Sequence, residues 1–274
     1  MDLSHVLWIG GGQGSGKSSI AWELSRRHGL QLYNVDHRMQ AHLARHRPHE
    51  FFDLSLDGRW LDADVHTMLR WFVETSEDRM RIVLEDVAAL PDVPGAIVEG
   101  PQLFPSFVAP FLASPDHALV LVVPEEDQRT RLAARGPMAG ASDPARARAN
   151  SIERDVLITS RMTHEAAAFG IAALVVDAPL DVMTERAEQH FAHALERLPR
   201  GGDLAAARRA ENDAIAAQVR LYREAGLPAR DYPPLVFSCE CGEAGCRDTF
   251  ELSLEDYERL SGAGDRSPLR PPTP

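Results

Sequence analysis

The chain of 274 residues carries 41 acidic residues against 29 lysines and arginines, a formal net charge of -12, and 44% of its residues are hydrophobic. This length allows one α/β domain with an appendage. The negative net charge argues against a nucleic-acid partner bound by bulk electrostatics. A local basic patch could still bind such a partner. No apolar run reaches the roughly 20 residues of a membrane helix, and the N-terminus lacks a basic region and an apolar signal core. We therefore expect a cytoplasmic protein without a membrane partner, and the oligomeric state stays open.

Strand and helix signals alternate along the first 198 residues, which favours a parallel sheet with helices on both faces. Apolar runs predict strands at residues 6–9, 31–35, 96–98, 117–123 and 172–176. Helical spacing predicts helices at 16–28, 125–135, 146–169, 181–198 and 204–224, with a long, mostly helical excursion over 37–95. We predict an α/β domain over residues 1–198, a helix and a cysteine-containing module over 203–260, and a disordered, proline-rich tail over 261–274.

The motif with the most specific chemistry follows the first predicted strand. Residues 11–18 are G-G-Q-G-S-G-K-S, the G-x-x-x-x-G-K-[ST] pattern of a phosphate-binding loop between a strand and a helix. The glycines would let backbone N–H groups surround a polyphosphate, Lys17 would meet the β- and γ-phosphates, and Ser18 would bind Mg²⁺. The following helix would point its positive end at the same anion. The predicted nucleotide-binding residues are Gly11, Gly12, Gln13, Gly14, Ser15, Gly16, Lys17, Ser18 and Ser19.

Polar residues after the second and third predicted strands are candidates for phosphoryl transfer, because parallel sheets bind ligands at the carboxyl ends of their strands. Asp36 is predicted to orient an acceptor hydroxyl and take its proton; the alternatives are a helix cap or a ligand to a Mg²⁺-bound water. Glu99 is predicted either to bind the acceptor or to hold a Mg²⁺-bound water. Arg38 and Gly100 complete the predicted acceptor site.

Arginines flank a glycine-containing segment at residues 136–140. On a closing lid they would neutralise the charge of the transferring phosphoryl group and exclude water. We predict that Arg131 and Arg135 are catalytic and that Arg154 binds ATP, with Arg129 a weaker candidate. The alternative is a solvated pair of helices held by salt bridges.

Histidines and arginines are dense at the start of the excursion after the second strand. They predict either a pocket for an anionic or polyhydroxylated acceptor or an ordinary polar helix face, and their pattern does not indicate a metal site. These residues are His37, Arg38, His42, Arg45, His46, Arg47 and His49.

The succession of these motifs resembles the small-molecule and nucleoside kinase group of P-loop proteins, which includes shikimate kinase, gluconate kinase and chloramphenicol phosphotransferase. The resemblance covers residues 4–195. It implies a P-loop NTPase fold with the sheet order 2-3-1-4-5 and Mg·ATP as phosphoryl donor. Shikimate kinases carry D-x-D after the second strand and a glycine triplet after the third, where this chain has Asn34 with Asp36, and Glu99-Gly100-Pro101. The Val35-Asp36 pair resembles the corresponding pair of chloramphenicol phosphotransferase. This similarity implies that Asp36 is a proton acceptor, but it does not imply the same substrate.

The three cysteines of the chain form the pattern C-x-C-x₄-C at Cys239, Cys241 and Cys246. Three thiolates so close together in a cytoplasmic protein predict a zinc site, with free thiols or redox sensing as the alternative. A fourth ligand is missing from the pattern itself, and its candidates are His190, His193 and Asp248. The segment resembles a small bacterial cysteine module found at the ends of varied proteins, in which a histidine follows further along the chain.

Three functions stay open at this point. The first, which the motifs favour, is ATP-dependent phosphorylation of a hydroxyl group on a small molecule such as a metabolite, nucleoside or antibiotic. The second is phosphorylation of a nucleotide's phosphate, for which Arg38, Arg45 and Arg47 could hold the acceptor. The third is a nucleotide-dependent regulatory ATPase whose cysteine module binds a partner protein. The helix before the cysteines is predicted to be solvated and able to pack on a partner, because it carries Arg208, Arg209, Glu211 and Asn212. The choice between ATP and GTP is not fixed by the motifs.

Overall fold

A parallel sheet of five strands forms the centre of the molecule, and its order is β2-β3-β1-β4-β5. The structure is a computed structural model that describes residues 2–45, 49–224, 235–262 and 269–270. The strands are β1 (Val6–Gly11), β2 (Gln31–Asn34), β3 (Ala96–Glu99), β4 (Ala118–Val122) and β5 (Ala172–Val175). The predicted α/β class and the predicted strand order 2-3-1-4-5 are therefore confirmed.

Helices flank this sheet, and a small hairpin follows it in the chain. The α-helices are α1 (Lys17–Arg27), α2 (Met39–Arg45), α3 (Leu56–Trp60), α4 (Val65–Ala88), α5 (Pro105–Val108), α6 (Glu125–Ala133), α7 (Pro144–Phe169), α8 (Leu180–Arg197), α9 (Leu204–Glu224) and α10 (Leu254–Gly262). The hairpin strands are β6 (Leu235–Ser238) and β7 (Thr249–Leu252). None of the helices in the described part of the chain is both long and apolar enough to cross a membrane.

The sheet is buried on both faces because successive side chains of a strand point in opposite directions. Trp8 and Tyr33 face the core built with α4 and α7, whereas Leu7 and Ile9 face the core built with α1 and α8. This two-sided burial fixes the strand register. It also brings the carboxyl ends of β1, β2 and β3 to one edge of the sheet, where the predicted site residues lie.

The third strand is one residue longer than the apolar pattern predicts. Glu99 was expected in the loop after the strand, but it is the last residue of β3 and pairs in register with Asn34 of β2 and Ile9 of β1. A buried carboxyl group at the end of a strand is costly unless other groups compensate it, so Glu99 is a marker of the site.

The C-terminal unit has a small core of its own. Phe237 of β6 stacks on Tyr257 of α10 with ring centroids 4.1 Å apart, and Val219 of α9 packs against them. Leu269 is buried in the same core, and its carbonyl oxygen accepts a hydrogen bond of 2.7 Å from the backbone of Glu240. The prediction of a disordered tail is thus wrong for Leu269, which is packed. Residues 263–268 and 271–274 of that tail lie outside the described residues.

Helix α9 is not the solvated helix that its polar residues predict, because its Arg208, Glu211 and Asn212 are buried. Glu211 accepts hydrogen bonds from Arg26 of α1 at 2.8 Å and from Arg208 at 2.6 Å. It also accepts one of 3.0 Å from the backbone N–H of Leu32. That N–H lies on the outer edge of β2, where no neighbouring strand of the described chain can accept its hydrogen bond. The Glu211 carboxylate of α9 supplies the missing acceptor.

We expect Glu211→Ala to lower the free energy of unfolding by about 3–5 kcal/mol, because it leaves two buried guanidinium groups without their anion. Chemical denaturation of the full chain measures this loss. The control is Glu255→Ala, which removes an exposed ion pair with Arg223 and should cost less than about 1 kcal/mol. Equal losses for the two variants would contradict the structural role of Glu211.

Candidate active site

The phosphate loop has the geometry that its sequence predicts. Gly16 adopts φ 79°, in the left-handed region, and directly precedes α1, so the amides of the first helical turn face the loop. Lys17 is 93% buried, since its relative exposure is 7%. The loop lies between β1 and α1 of a sheet ordered 2-3-1-4-5. The chain has a P-loop NTPase fold. Lys17 is also its only lysine, because every other residue in the count of 29 is an arginine.

Close packing at Gly12 excludes any larger residue there. A Cβ atom at this position would collide with the Thr159 hydroxyl oxygen of α7 and would lie 2.9 Å from the Gln128 side-chain nitrogen of α6. Gln128 in turn donates a hydrogen bond of 3.2 Å to the carbonyl oxygen of Gln13. The loop is therefore supported from behind by two helices, which preorganises its backbone for an anion.

Two of the predicted arginines lie at the phosphate loop. Arg131 donates a hydrogen bond of 3.1 Å to the carbonyl oxygen of Gly14, and Arg135 donates one of 2.8 Å to the side-chain oxygen of Gln13. Both side chains are exposed and extend from the last turns of α6 and the residues that follow it. Arg129 differs, because it forms ion pairs with Glu125 and Glu153 on the surface; the salt-bridge alternative describes it well.

Arg154 does not contact the loop directly. Its guanidinium group pairs with Asp155 at 2.5 Å and lies between the rings of Trp60 and Phe72, at 4.7 and 5.2 Å from their centroids. These aromatic rings belong to α3 and α4. The ATP-binding role of Arg154 stays a prediction, since in this arrangement Asp155 neutralises its charge.

Glu99 is a buried carboxyl group directed at the phosphate loop, with a relative exposure of 1%. The side-chain N–H of Asn34 donates a hydrogen bond to its Oε1, while Oε2 finds no hydrogen-bond partner among the described residues. Burial raises the pKa of Glu99 from 4.5 to about 7; the Lys17 ammonium opposes this shift and Asp36 adds to it. The amide at position 34 matters because a carboxylate there would repel Glu99.

The stability of the nucleotide-free protein should fall as pH rises through the pKa of Glu99. This pKa is higher in the folded state than the ordinary value of 4.5, so the folded state holds the proton more tightly. The contribution is fully present below pH 4.5 and is lost as pH rises through about 7. The shift corresponds to about 3 kcal/mol.

Glu99→Gln removes this titration and isolates its effect. In urea denaturation without nucleotide or Mg²⁺, we expect the variant to gain stability relative to the natural protein between pH 5 and pH 8. Glu255→Gln at the exposed surface is the control. Stability profiles of the natural protein and Glu99→Gln that run parallel across this range would contradict the buried, proton-binding carboxyl group.

Asp36 presents an exposed carboxylate at the end of β2. Its Oδ1 accepts a hydrogen bond of 2.8 Å from the side chain of Gln102. It does not cap the short helical turn it begins, since the cap position belongs to Val35 and has no side-chain hydrogen bond. Asn34 instead accepts a hydrogen bond of 2.9 Å from the backbone of His37. Asp36 is therefore available to a ligand.

Arg79 of α4 is a neighbour of Asp36 that the sequence did not single out. It is buried, and its Nη2 donates to the carbonyl oxygen of Val35 at 3.2 Å. The field of Asp36 favours its charged form, although burial lowers its pKa. Its Nε and the Oε1 of Gln102 have no partner within the described part of the chain. Buried polar atoms of this kind mark places where a ligand or water completes the hydrogen bonding.

The predicted acceptor residues Arg38 and Gly100 occupy different surroundings. Arg38 stacks on Tyr33 with its guanidinium carbon 4.1 Å from the ring centroid, and it donates to the carbonyl oxygen of Asn34 at 3.3 Å. Gly100 lies where a Cβ atom would approach Val35 and the Gln102 side chain to 2.8 Å. Gly100 thus provides the close packing that holds Gln102 against Asp36, and Arg38 packs against the end of β2.

The histidines and arginines of the excursion form an internal network rather than a uniform polar face. His42 is fully buried, 3.0 Å from the hydroxyl of Tyr33 and 3.3 Å from Asp86. Arg45 pairs with Asp86 and with Glu85 on α4. His46 and Arg47 lie outside the described residues. This network holds α2 against α4.

Arg79, Gln102, Asn34 and Trp60 are the site residues that sequence reasoning missed or left without a role. Gln102 follows Glu99 by three residues, so extending the strand-end argument by one turn would have found it. Asn34 was noted only as a departure from the kinase pattern. Arg79 and Trp60 carry no local signal, because only the folding of the excursion brings Arg79 near Asp36 and Trp60 against Arg154.

Similar proteins were found among solved structures. No family model and no curated protein matches the chain. Among solved structures, it is similar to shikimate kinase from Acinetobacter baumannii in complex with shikimate, with 12% identity, a TM-score of 0.40, and coverage of 69% of this chain and 93% of that chain. It is similar to TT1252 from Thermus thermophilus with 21% identity, a TM-score of 0.40, and coverage of 69% of this chain and 96% of that chain. The chain is also similar to an uncharacterized protein from Eubacterium ventriosum ATCC 27560, with 10% identity, a TM-score of 0.35, and coverage of 69% of this chain and 98% of that chain.

Proposed function

We propose that the protein is an ATP-dependent phosphotransferase that phosphorylates a hydroxyl group of a small molecule. The observation that carries this proposal is the exposed carboxylate of Asp36, next to the buried Glu99 and the phosphate loop. Phosphoryl transfer depends mainly on alignment and charge neutralisation, and a positioned carboxylate adds a proton acceptor for the attacking alcohol. Asp36 would accept that proton while Gln102 holds the carboxylate in place.

The residues around the loop suit a magnesium nucleotide. Lys17 and the amides at the start of α1 would bind the β- and γ-phosphates, and Ser18 would hold the metal ion. The Ser18 hydroxyl lies close enough to Glu99 to favour its charged form, and the unpartnered Oε2 of Glu99 would accept from a metal-bound water. When bound, Mg²⁺ supplies positive charge between the phosphates. Arg131 and Arg135 would add charge from the opposite side of the loop.

The segment after α6 supports the exclusion of water from such a site. Met138 and Ala141 pack with Ala147 against Trp60 and Leu61, so this segment bridges the nucleotide side and the excursion. The backbone N–H of Ser142 also donates to Asp57 at 2.8 Å. A segment closed over the loop would keep water from competing with the acceptor alcohol.

The arginines needed by a phosphate-bearing acceptor are largely engaged elsewhere. Arg38 stacks on Tyr33, and Arg45 is paired with two carboxylates. Of Arg38, Arg45 and Arg79, the last alone keeps a buried nitrogen without a partner in the described structure. One cation and one carboxylate fit a neutral or singly charged alcohol better than a nucleotide phosphate, and this favours a hydroxyl acceptor.

The test is acceptor-dependent ADP release. The full chain is incubated with Mg·ATP, and in parallel with Mg·GTP, against a panel of hydroxylated metabolites, nucleosides, nucleoside monophosphates and antibiotics. The proposal expects release that depends on one class of alcohol and a product that carries a phosphate ester. Release with nucleoside monophosphates alone would establish the nucleotide-kinase alternative. Slow hydrolysis without any acceptor dependence would indicate the regulatory ATPase.

A further inference from the structure

We propose that Cys239, Cys241, Cys246 and Asp248 bind one zinc ion that fastens the C-terminal unit to helix α1. This inference is independent of the proposed phosphotransferase activity. It goes beyond the cysteine spacing, because the structure places the four residues on a loop that also touches the phosphate-binding domain.

The three sulfur atoms already lie together. Their Sγ atoms are all within 4.8 Å of one another, whereas a tetrahedral ion with Zn–S bonds of about 2.3 Å requires sulfur separations of about 3.8 Å. Small side-chain rotations close that difference. The backbone N–H of Glu243 donates to the sulfur of Cys241 at 3.4 Å, and a bond of this kind stabilises a thiolate.

The loop that carries the cysteines is built to converge on one point. Cys239 directly follows β6, and its N–H donates to the carbonyl oxygen of Asp248 at 2.9 Å. Gly242 and Gly245 adopt φ values of 78° and 82°, which lets the chain turn sharply between the second and third cysteines. The loop thereby returns Cys246 to the end of the hairpin where Cys239 lies.

Asp248 is the carboxylate best placed to complete the site. Its Oδ2 lies 3.9 Å from the sulfur of Cys246, close to the separation of about 3.6 Å between a sulfur and an oxygen on one tetrahedral zinc. Among the described residues only the three cysteines have ligand atoms that all lie within 4.8 Å of one another, so neither His190 nor His193 joins this cluster, and Asp248 would rotate toward it on metal binding. Zinc would bind the cysteines as thiolates, and the thiol protons would pass to the solvent.

The same loop attaches to the phosphate-binding domain. The N–H of Gly245 donates to the carbonyl oxygen of Arg26, at the last turn of α1, at 3.0 Å. Arg247 pairs with Glu23 of α1 at 2.8 Å. A metal ion that holds the loop in shape therefore also holds these contacts, and through Arg26 it supports the buried pair with Glu211.

The first experiment measures metal in the full chain purified from zinc-supplemented cells. We expect about one equivalent of zinc, falling below a tenth of an equivalent in Cys241→Ser and Cys246→Ser and by at least about tenfold in affinity in Asp248→Asn. Glu243→Gln, in the same loop, is the control and should keep its zinc. Cobalt substitution should give a sulfur-to-metal charge-transfer band. Metal-free protein, or a disulfide in place of free thiols, would overturn the proposal.

The second experiment tests the attachment without any substitution, so a folding failure cannot confuse it. Zinc is removed from the natural protein with a chelator, and amide hydrogen exchange is followed. We expect exchange at Gly245 to accelerate by about tenfold or more while Ile9, in the central strand, is unchanged. Re-addition of zinc should restore the protection. Unchanged exchange at Gly245 would overturn the proposed fastening.

Discussion

Lys17→Ala is expected to reduce phosphoryl transfer by about 10³-fold or more, because it removes the ammonium group that meets the charge of the transferring phosphate. Acceptor-dependent ADP release measures the loss, and calorimetry with Mg·ATP measures the weakened binding. The fold should persist, because Glu99 stays protonated over a wider pH range once the neighbouring cation is gone. Unchanged turnover would remove the assignment of the phosphate loop.

A second measurement at Lys17 uses the absence of any other lysine from the chain. An amine-reactive reagent can modify only this side chain and the N-terminal amine, and mass spectrometry separates the two sites. We expect Mg·ATP to protect Lys17 and to leave the N-terminal amine reactive. Lys17→Arg is the matched variant: it keeps the charge, but a planar guanidinium does not replace a compact ammonium in a closed loop, so turnover should stay low.

Asp36→Asn is expected to lower the rate by about 10²–10⁴-fold, because an amide cannot take the proton of the acceptor alcohol. The variant keeps the shape of the side chain and an oxygen that accepts from Gln102, so the affinity for Mg·ATP should be unchanged. Steady-state kinetics with saturating nucleotide, together with calorimetry, separate the two effects.

The control for Asp36 is Asp92→Asn, which alters an exposed carboxylate near His5, remote from the loop. Its turnover should match that of the natural protein. If Asp36→Asn loses less than about tenfold in rate, the carboxylate is not the proton acceptor. If it loses Mg·ATP affinity by the same factor as rate, its role lies in nucleotide or metal binding instead.

The sequence was sufficient for the sheet and the phosphate loop because both depend on local patterns. Continuous apolar runs such as β4 can be satisfied only by burial on both faces, and the loop needs glycines and Lys17 in fixed spacing. Asp36 and Glu99 were predicted as site residues because the strand ends of a parallel sheet share an edge. Even so, the end of β3 was predicted one residue too early, before Glu99, since a carboxylate rarely ends a buried strand.

The predictions that were wrong or incomplete concern residues whose contacts are distant in the chain. Arg208 and Glu211 are residue types that are typical of a solvated helix face. No residue near them in the sequence indicates that β2 has an unpaired backbone N–H. Arg79 reaches Asp36 from the middle of a long helix, across 42 intervening positions of the chain. The histidine-rich stretch likewise resolves into a buried network only because Tyr33 and Asp86 approach it.

The hydrogen bond between the Glu211 carboxylate and the N–H of Leu32 determines where the chain can be truncated. Strands with open flanks recruit strands from other copies, and proteins usually prevent this by covering them. Here the cover is supplied by a helix encoded more than 170 positions later. A shortened version that stops at Pro199 would expose the backbone N–H of Leu32 and leave Arg26 without its anion, and we expect it to aggregate through this strand.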